Sequence, residues 1–441
     1  MITTIPDAKT LLDDLVAKAL RAGADAADAT LTEGIAMSLA RRLGRLEGLE
    51  RSEGVAVGVR LFVGKQSAHV SSTDLGKAAL DEVIARSLAM ARAAPEDPYS
   101  GLADPADLAR SWPELDLEDP DEPAPERLTE MAAAAEDAAR AVPGVTNSEG
   151  AEASWGRHRF TLVASNGFAG AGTGTTFSVS AAVLAGAGEG MERDYDYATS
   201  RFLADLPDAA AIGRNAGERA VRRLGARKVP TSKVPIVYDP RVSRGLVSHF
   251  ASAIAGPAIA RGTSFLKDRL NARVFAPGIR IVDDPHRRRG LRSRPFDREG
   301  VANRRRAVVE DGVLTTWLLD CRSARQLELA TTGHAPGGSA SNLYLEAGAL
   351  SPAALMADIA DGLYVTELIG MGINMVTGDY SRGAAGFRIE NGALSHPVSE
   401  VTIAGNLREV FLHAAPANDL VFRYGIDAPT VRIDGMTVAG R

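Results

Sequence analysis

The 441-residue sequence predicts an α+β protein in two parts, with helices on antiparallel sheet in residues 1–228 and a mainly antiparallel β arrangement in 229–441. Three observations predict it. Apolar stripes at helical spacing recur in the first part, stretches of strand-like alternation lie between them, and beyond residue 229 the chain turns to hairpin signals and glycines.

The first stripe runs through Leu11, Leu12, Leu15, Val16 and Leu20, with Asp7 as a candidate N-cap and Gly23 as the stop. Alternating strands follow at 27–43, 55–64 and 66–72, then a helix at 74–93 that ends before Pro95. Residues 95–126 are rich in proline and acid and predict a surface connection outside the core. A helix at 127–142 comes next. The stretch 152–167 predicts two strands around a short turn, 174–186 and 191–201 predict two more, and 208–225 predicts a helix. Helix, about four strands, helix thus occurs twice within 1–226, an order that suggests a duplicated layout without any exact sequence repeat.

In the second part, a short strand at 234–238 leads into Asp239, a good N-cap, and Pro240, placed where a missing N–H costs nothing. Val242, Leu246, Phe250 and Ile254 form one apolar stripe, and Gly256-Pro257 predicts its stop. Hairpins are expected at 306–320, turning at Asp311-Gly312, and at 386–398, turning at Asn391-Gly392. Further strands at 400–405 and 429–440 would complete a sheet rolled towards a barrel.

Composition narrows the function classes. Apolar residues make up 45% and charged residues 24%, and no apolar run approaches a membrane span. The N-terminus lacks the basic-then-apolar pattern of a secretory leader. Cys321 is the single cysteine, which rules out an intrachain disulfide and suits a reducing compartment, with the cytoplasm as the default. A net charge of −6 offers no general attraction to nucleic acid.

The candidate chemistry is sparse. A helical zinc site needs two histidines one turn apart with a glutamate nearby, but Ala253 stands one turn beyond His249 and no glutamate lies between 241 and 257. The seven histidines (69, 158, 249, 286, 334, 396 and 413) include no pair three to five residues apart. A dispersed metal or Cys/His site from His334, His396 and Cys321 stays open as a stand-alone hydrolase, although a lone cysteine more commonly packs as a small apolar residue. Nine arginines crowd "HRRRGLRSRPFDREGVANRRR" (286–306). A nucleic-acid contact is one reading, and a solvated loop with salt bridges between subunits is the preferred one, given the acidic residues nearby. The glycine-rich stretches 165–177 and 370–374 fit neither phosphate-binding loop, and strand ends explain them better. Asn374, Thr377, Asp379, Tyr380, Ser381 and Arg382 gather six polar side chains within nine residues among glycines. They read as a loop lining a substrate cleft, or equally as a structural loop that satisfies its own turn.

Four stretches in this order, "TTGHA" (331–335), "SNLYLEAG" (341–348), "NMVTGDYSRGAAGFRIENG" (374–392) and "EVTIAGNL" (400–407), closely resemble the TldD/PmbA family, also called the modulator-of-DNA-gyrase family. "EGVAVGVRLFVGKQSAHVSSTDL" (53–75) and "PFDREGVANRRRAVVEDGVL" (295–314) extend the likeness over nearly the whole chain. The resemblance implies a cytoplasmic metalloprotease system, built from two paralogous subunits, that acts on small or unfolded polypeptides. It also implies that the TldD type holds zinc through a helical His-Glu-x-x-x-His motif and a C-terminal cysteine, whereas the PmbA or TldE type lacks these ligands. Counted back from Arg261-Gly262-Thr263-Ser264, the three motif positions here are Val247, Ser248 and Ser252, and His249 is out of register. No cysteine stands in 413–430. The chain therefore resembles the PmbA/TldE type, which implies zinc in a TldD-like partner, no metal or catalytic residue in this chain, peptide substrates, and a homodimer as the open alternative in isolation. A gyrase- or nucleic-acid-binding modulator is the remaining alternative.

Overall fold

The computed structural model describes residues 8–440, so the proposed Asp7 cap lies outside the described residues. The first half contains the helix–three strands–helix unit twice. The first copy is α1 (Ala8–Arg21), β1 (Ala26–Arg42), β2 (Arg45–Val63), β3 (Gln66–Ser72) and α2 (Lys77–Ala93). The second is α3 (Pro125–Arg140), β4 (Val145–Ala164), β5 (Ala169–Ala185), β6 (Glu192–Ser200) and α4 (Ala209–Arg222). Each copy has three strands, fewer than expected. The copies join through antiparallel pairing of β1 with β4 into one six-stranded sheet, ordered β3-β2-β1-β4-β5-β6. Helices α1 and α2 cover one end of the sheet, and α3 and α4 the other, each over its own apolar core.

The expected turn within 152–167 does not form, because β4 runs unbroken for 20 residues. Its Gly156 pairs with Ala36 on one side and Thr176 on the other, so both edges of the supposed turn are bound into the ladder. The glycines that follow serve close approach. A Cβ at Gly170 would sit 2.6 Å from the Phe296 ring, and one at Gly174 would sit 2.8 Å from the His158 ring.

The second half comprises β7 (Ser232–Tyr238), α5 (Pro240–Ala253), α6 (Gly256–Ala260), β8 (Ile281–Asp284), β9 (Arg306–Glu310), β10 (Val313–Leu314), α7 (Cys321–Gln326), β11 (Asn342–Leu345), α8 (Pro352–Met356), β12 (Asp361–Ile369), β13 (Asp379–Glu390), β14 (Ala393–Asn406), α9 (Leu407–Leu412), β15 (Ala414–Pro416), β16 (Ile426–Asp427) and β17 (Val431–Ala439). Its larger sheet is ordered β14-β13-β12-β7-β17-β15. Pairing of β14 back onto β17 closes five of these strands into a barrel, as the rolled sheet predicted. Both expected hairpin turns form with positive φ, at Asp311-Gly312 and Asn391-Gly392. The separate strand expected at 400–405 is instead the continuation of β14. Gly256-Pro257 ends α5 but opens the short α6.

The 95–126 connection is more than surface. Ala103, Ala109 and Leu115 are buried, Ala109 N–H donates to Gly300 O, and Trp112 meets Phe296 edge-on at 4.8 Å. Its prolines suppress regular structure, so it straps across the second half as an extended segment. Among the described residues no helix is long and apolar enough to cross a membrane.

Candidate functional site

Helix α5 has two faces. Asp239 caps it by accepting from Arg241 N–H at 3.0 Å, and it also accepts the Tyr364 hydroxyl at 2.8 Å. Leu246, Val247 and Phe250 are buried in the main core of the second half. The opposite face presents Arg241, Arg244, Ser248 and His249 to a cleft of about 420 Å³. Tyr195 of β6, the 366–368 segment of β12, Arg382 of β13 and the loop residues Arg292 and Tyr424 complete the lining, so both halves of the molecule build it.

Charges in the cleft wall are unevenly paired. Asp194 is buried and holds Arg241 at 2.8 Å and Arg223 at 3.6 Å, and Arg223 also grips Glu367. Arg241 stacks over Tyr195, 4.5 Å from the ring centroid. Arg244 lies 4.2 Å from the Tyr424 centroid and donates to the Tyr197 hydroxyl at 3.2 Å. His249 meets the Tyr380 ring edge-on at 6.2 Å. Burial and then the Arg382 charge push its pKa down to about 4, so it is a neutral imidazole at neutral pH.

The six polar loop residues divide. Asn374 Oδ1 accepts the Val376 and Thr377 N–H groups, Thr377 Oγ1 donates to Asp379 at 2.6 Å, and Asn406 donates to the other Asp379 oxygen at 3.1 Å. Thr377 and then Asn406 hold the Asp379 carboxyl below the usual carboxylate range. These three residues, all exposed, knit a turn at the entry to β13. Ser381 N–H donates to Gly372 O at 2.7 Å. Tyr380 is buried in the barrel core. Only Arg382 lines the cleft, where its Nε also donates to Ile369 O at 3.3 Å.

His334, His396 and Cys321 are not assembled. His334 is buried, with Nδ1 2.8 Å from Thr332 Oγ1 and Nε2 3.1 Å from Asp283, whose carboxylate also accepts from Ser341. His396 neighbours Ser395 on β14, and His413 Nδ1 donates to Glu409 O. Cys321 is buried at the start of α7, where burial and then Glu299 push its thiol far above the ordinary range. Among the described residues no group of three or more His, Cys, Asp or Glu could hold a metal ion.

Much of the arginine cluster is engaged within the chain. Arg288 and Arg289 bind Asp116 of the strap at 2.9 and 2.7 Å, and Arg289 also binds Asp205. Arg294 donates to Ser339 O, Arg306 donates to Thr332 O, and Arg305 lies 3.7 Å from both Asp284 and Glu346. Carboxylates and carbonyls distant in sequence engage these five within the chain, and Arg287 lies over the Phe422 ring.

Arg241, Arg244, Arg292, Tyr195 and Tyr424 escaped the sequence reading. They come from β6, α5 and two loops, and no local spacing joins them. The one available signal was the unbroken helical periodicity of 240–253, which leaves Arg241, Arg244 and Ser248 on the face opposite the apolar stripe.

Three domain descriptions of one family match in succession: PmbA/TldA metallopeptidase domain 1 over residues 27–91, the central domain over 118–224 and the C-terminal domain over 231–440. The metalloprotease PmbA of Escherichia coli O157:H7 is 37% identical over 448 residues, covering 100% of this chain and 99% of that protein. A PmbA homologue of Haemophilus influenzae is 35% identical, covering 96% and 94%. A crystal structure described as a putative modulator of DNA gyrase from Bacteroides thetaiotaomicron superposes with a TM-score of 0.93 at 30% identity, covering 100% of both chains. TldE from Thermococcus kodakarensis shares the fold with a TM-score of 0.84 at 18% identity, covering 98% of this chain and 100% of its own. The chain belongs to the PmbA/TldD metallopeptidase family.

Proposed function

We propose that this chain is the PmbA/TldE-type subunit of a cytoplasmic zinc peptidase that processes small or unfolded polypeptides, and that it contributes a peptide cleft while a TldD-type paralogue carries the zinc. The chemistry of α5 carries the reading. At the positions matched to the family's ligand motif, Val247 is 3% exposed in the core, Ser248 is a neutral hydroxyl on the cleft wall, and Ser252 donates to its own helix at Ser248 O. Zinc takes imidazole, thiolate or carboxylate, so this donor set does not fit it. His249, out of register with the motif, is the one imidazole among the described residues that line the cleft. The cleft wall offers positive charge and aromatic faces, which suit holding a peptide.

The test is elemental mass spectrometry of the chain purified alone without chelators, then mixed with a TldD-type paralogue. The expected result is well under one zinc per chain alone, and one zinc per pair together with peptidase activity. Near-stoichiometric zinc in the isolated chain would overturn the reading.

A further inference from the structure

The same cleft has a charge balance that its pairing does not explain. Four arginines face it, but among the described residues only Arg241 has a carboxylate partner, the buried Asp194. The one acidic side chain in the lining, Glu367, is turned to Arg223. Arg244 is oriented by Tyr424 and the Tyr197 hydroxyl, both uncharged. Arg382 meets a single carbonyl. A Cβ at Gly425 would meet the Arg292 stem, so the aliphatic part of Arg292 lies across that glycine, and its charge has no ion-pair partner among the described residues. His249 is neutral there and adds nothing to cancel these charges.

A second, independent observation concerns backbone. Strand β12 pairs with β7 only through Leu363–Val365. At that point the ladder to β13 shifts register, between Val365 and Glu367, and β7 gives way to α5. From Thr366 to Ile369, β12 therefore has a strand on one side only, and its other edge borders the cleft at Thr366–Leu368. Such an edge accepts an extended chain by strand addition.

We propose that this cleft is a carboxylate-binding subsite for an extended peptide, with the peptide main chain along the 366–369 edge of β12 and a peptide carboxylate held among Arg244, Arg292 and Arg382. The planar guanidinium fork suits a carboxylate bidentately, and with about four lone-pair sites on its two oxygens one fork can bind so while the other arginines on the same cleft wall add single hydrogen bonds or charge. A 420 Å³ opening admits a residue or two of the ligand. The inference rests on reading the chain as a peptide-handling subunit, and it specifies which peptides are held. The carboxylate can come from the chain terminus or from an Asp or Glu side chain.

The experiment uses the full chain and three unstructured Gly-Ser decapeptides carrying an uncharged BODIPY label at the N-terminus: one with a free C-terminus, one amidated, and one amidated with a central aspartate. Binding is followed by fluorescence anisotropy at low salt. Binding of the free-terminus peptide alone assigns the α-carboxylate, and binding of the aspartate peptide as well, or instead, assigns an acidic side chain. Both outcomes support the proposal. Arg292→Gln with Arg382→Gln should weaken that binding by about tenfold or more, and Arg382→Lys should restore only part of it, because charge returns without the fork. Equal binding of the acid-free amidated peptide, unchanged affinity in the double variant, or no binding to any of the three overturns it. Failure here beside a chain that still forms an active pair with a TldD-type paralogue would sink this subsite and leave the subunit assignment standing.

Discussion

Arg289 and Arg292 stand three residues apart in the same basic run, yet they end in opposite environments. Arg289 is ion-paired to Asp116 and Asp205, tying the 95–126 strap and the first half to the second. Arg292 faces a cleft whose one carboxylate, Glu367, is engaged elsewhere. Density of charge along a sequence therefore does not mark a binding surface. What marks it is charge left over after the fold has satisfied the rest.

The sharpest way to break this comparison is at Asp194, the buried carboxylate shared by Arg223 and Arg241. Asp194→Asn would strand the partly buried Arg241 guanidinium, while Arg223 keeps Glu192 and Glu367, and we expect a loss of about 3–5 kcal/mol in urea unfolding. A loss under about 1 kcal/mol would mean that this pairing does not hold the cleft wall together.

His249 comes next. Its folded pKa of about 4 lies below the ordinary value near 6.5, so the unfolded chain takes the proton first as pH falls. The stability this represents is whole above pH 6.5 and is lost progressively between about 6.5 and 4, to a total of about 2–3 kcal/mol. His249→Gln should flatten that part of the stability–pH profile. Parallel profiles for the two proteins would contradict the burial argument.

The smallest effect sharpens the contrast itself. Arg289→Ala should speed amide hydrogen exchange in residues 112–117 without a global change. Arg382→Gln should leave unfolding within about 0.5 kcal/mol of the parent, since its one partner, the carbonyl of the exposed Ile369, can turn to water. Equal loosening in both variants would erase the distinction between paired and unpaired arginines.

What the sequence disclosed was local. Asp239-Pro240 announced α5, and Asp311-Gly312 and Asn391-Gly392 announced their hairpins, because a cap or a positive-φ turn is written in adjacent residues. The family's likeness was visible in contiguous stretches for the same reason. The stretch 152–167 misled, since its Gly156 lies inside a continuous strand paired on both sides, which shows only once both neighbouring strands are known. The prolines of 95–126 indicated absence of regular structure but not where the segment docks. The cleft was the least visible part. Its arginines come from α5, β13 and a loop, and β6 of the first half adds Tyr195, so the cleft forms only when these distant elements pack, a tertiary event with no periodic trace.

Closure of the barrel has a consequence for how the chain is made. Strand β7 lies between β12 and β17, and the Tyr238 hydroxyl meets the Met436 sulfur across 198 residues of sequence. On a ribosome adding about 5–20 residues per second, β7 leaves the exit tunnel on the order of 10–40 seconds before β17 does. Through that interval Ile236, Val237 and Tyr238, all fully buried at the end, lack one of their flanking strands. The first half, whose pairings are complete by Ser200, has by then had time to fold. Synthesis thus sets an order of assembly in which a finished sheet waits beside an open barrel, and that interval is when the nascent chain most needs shielding from other chains.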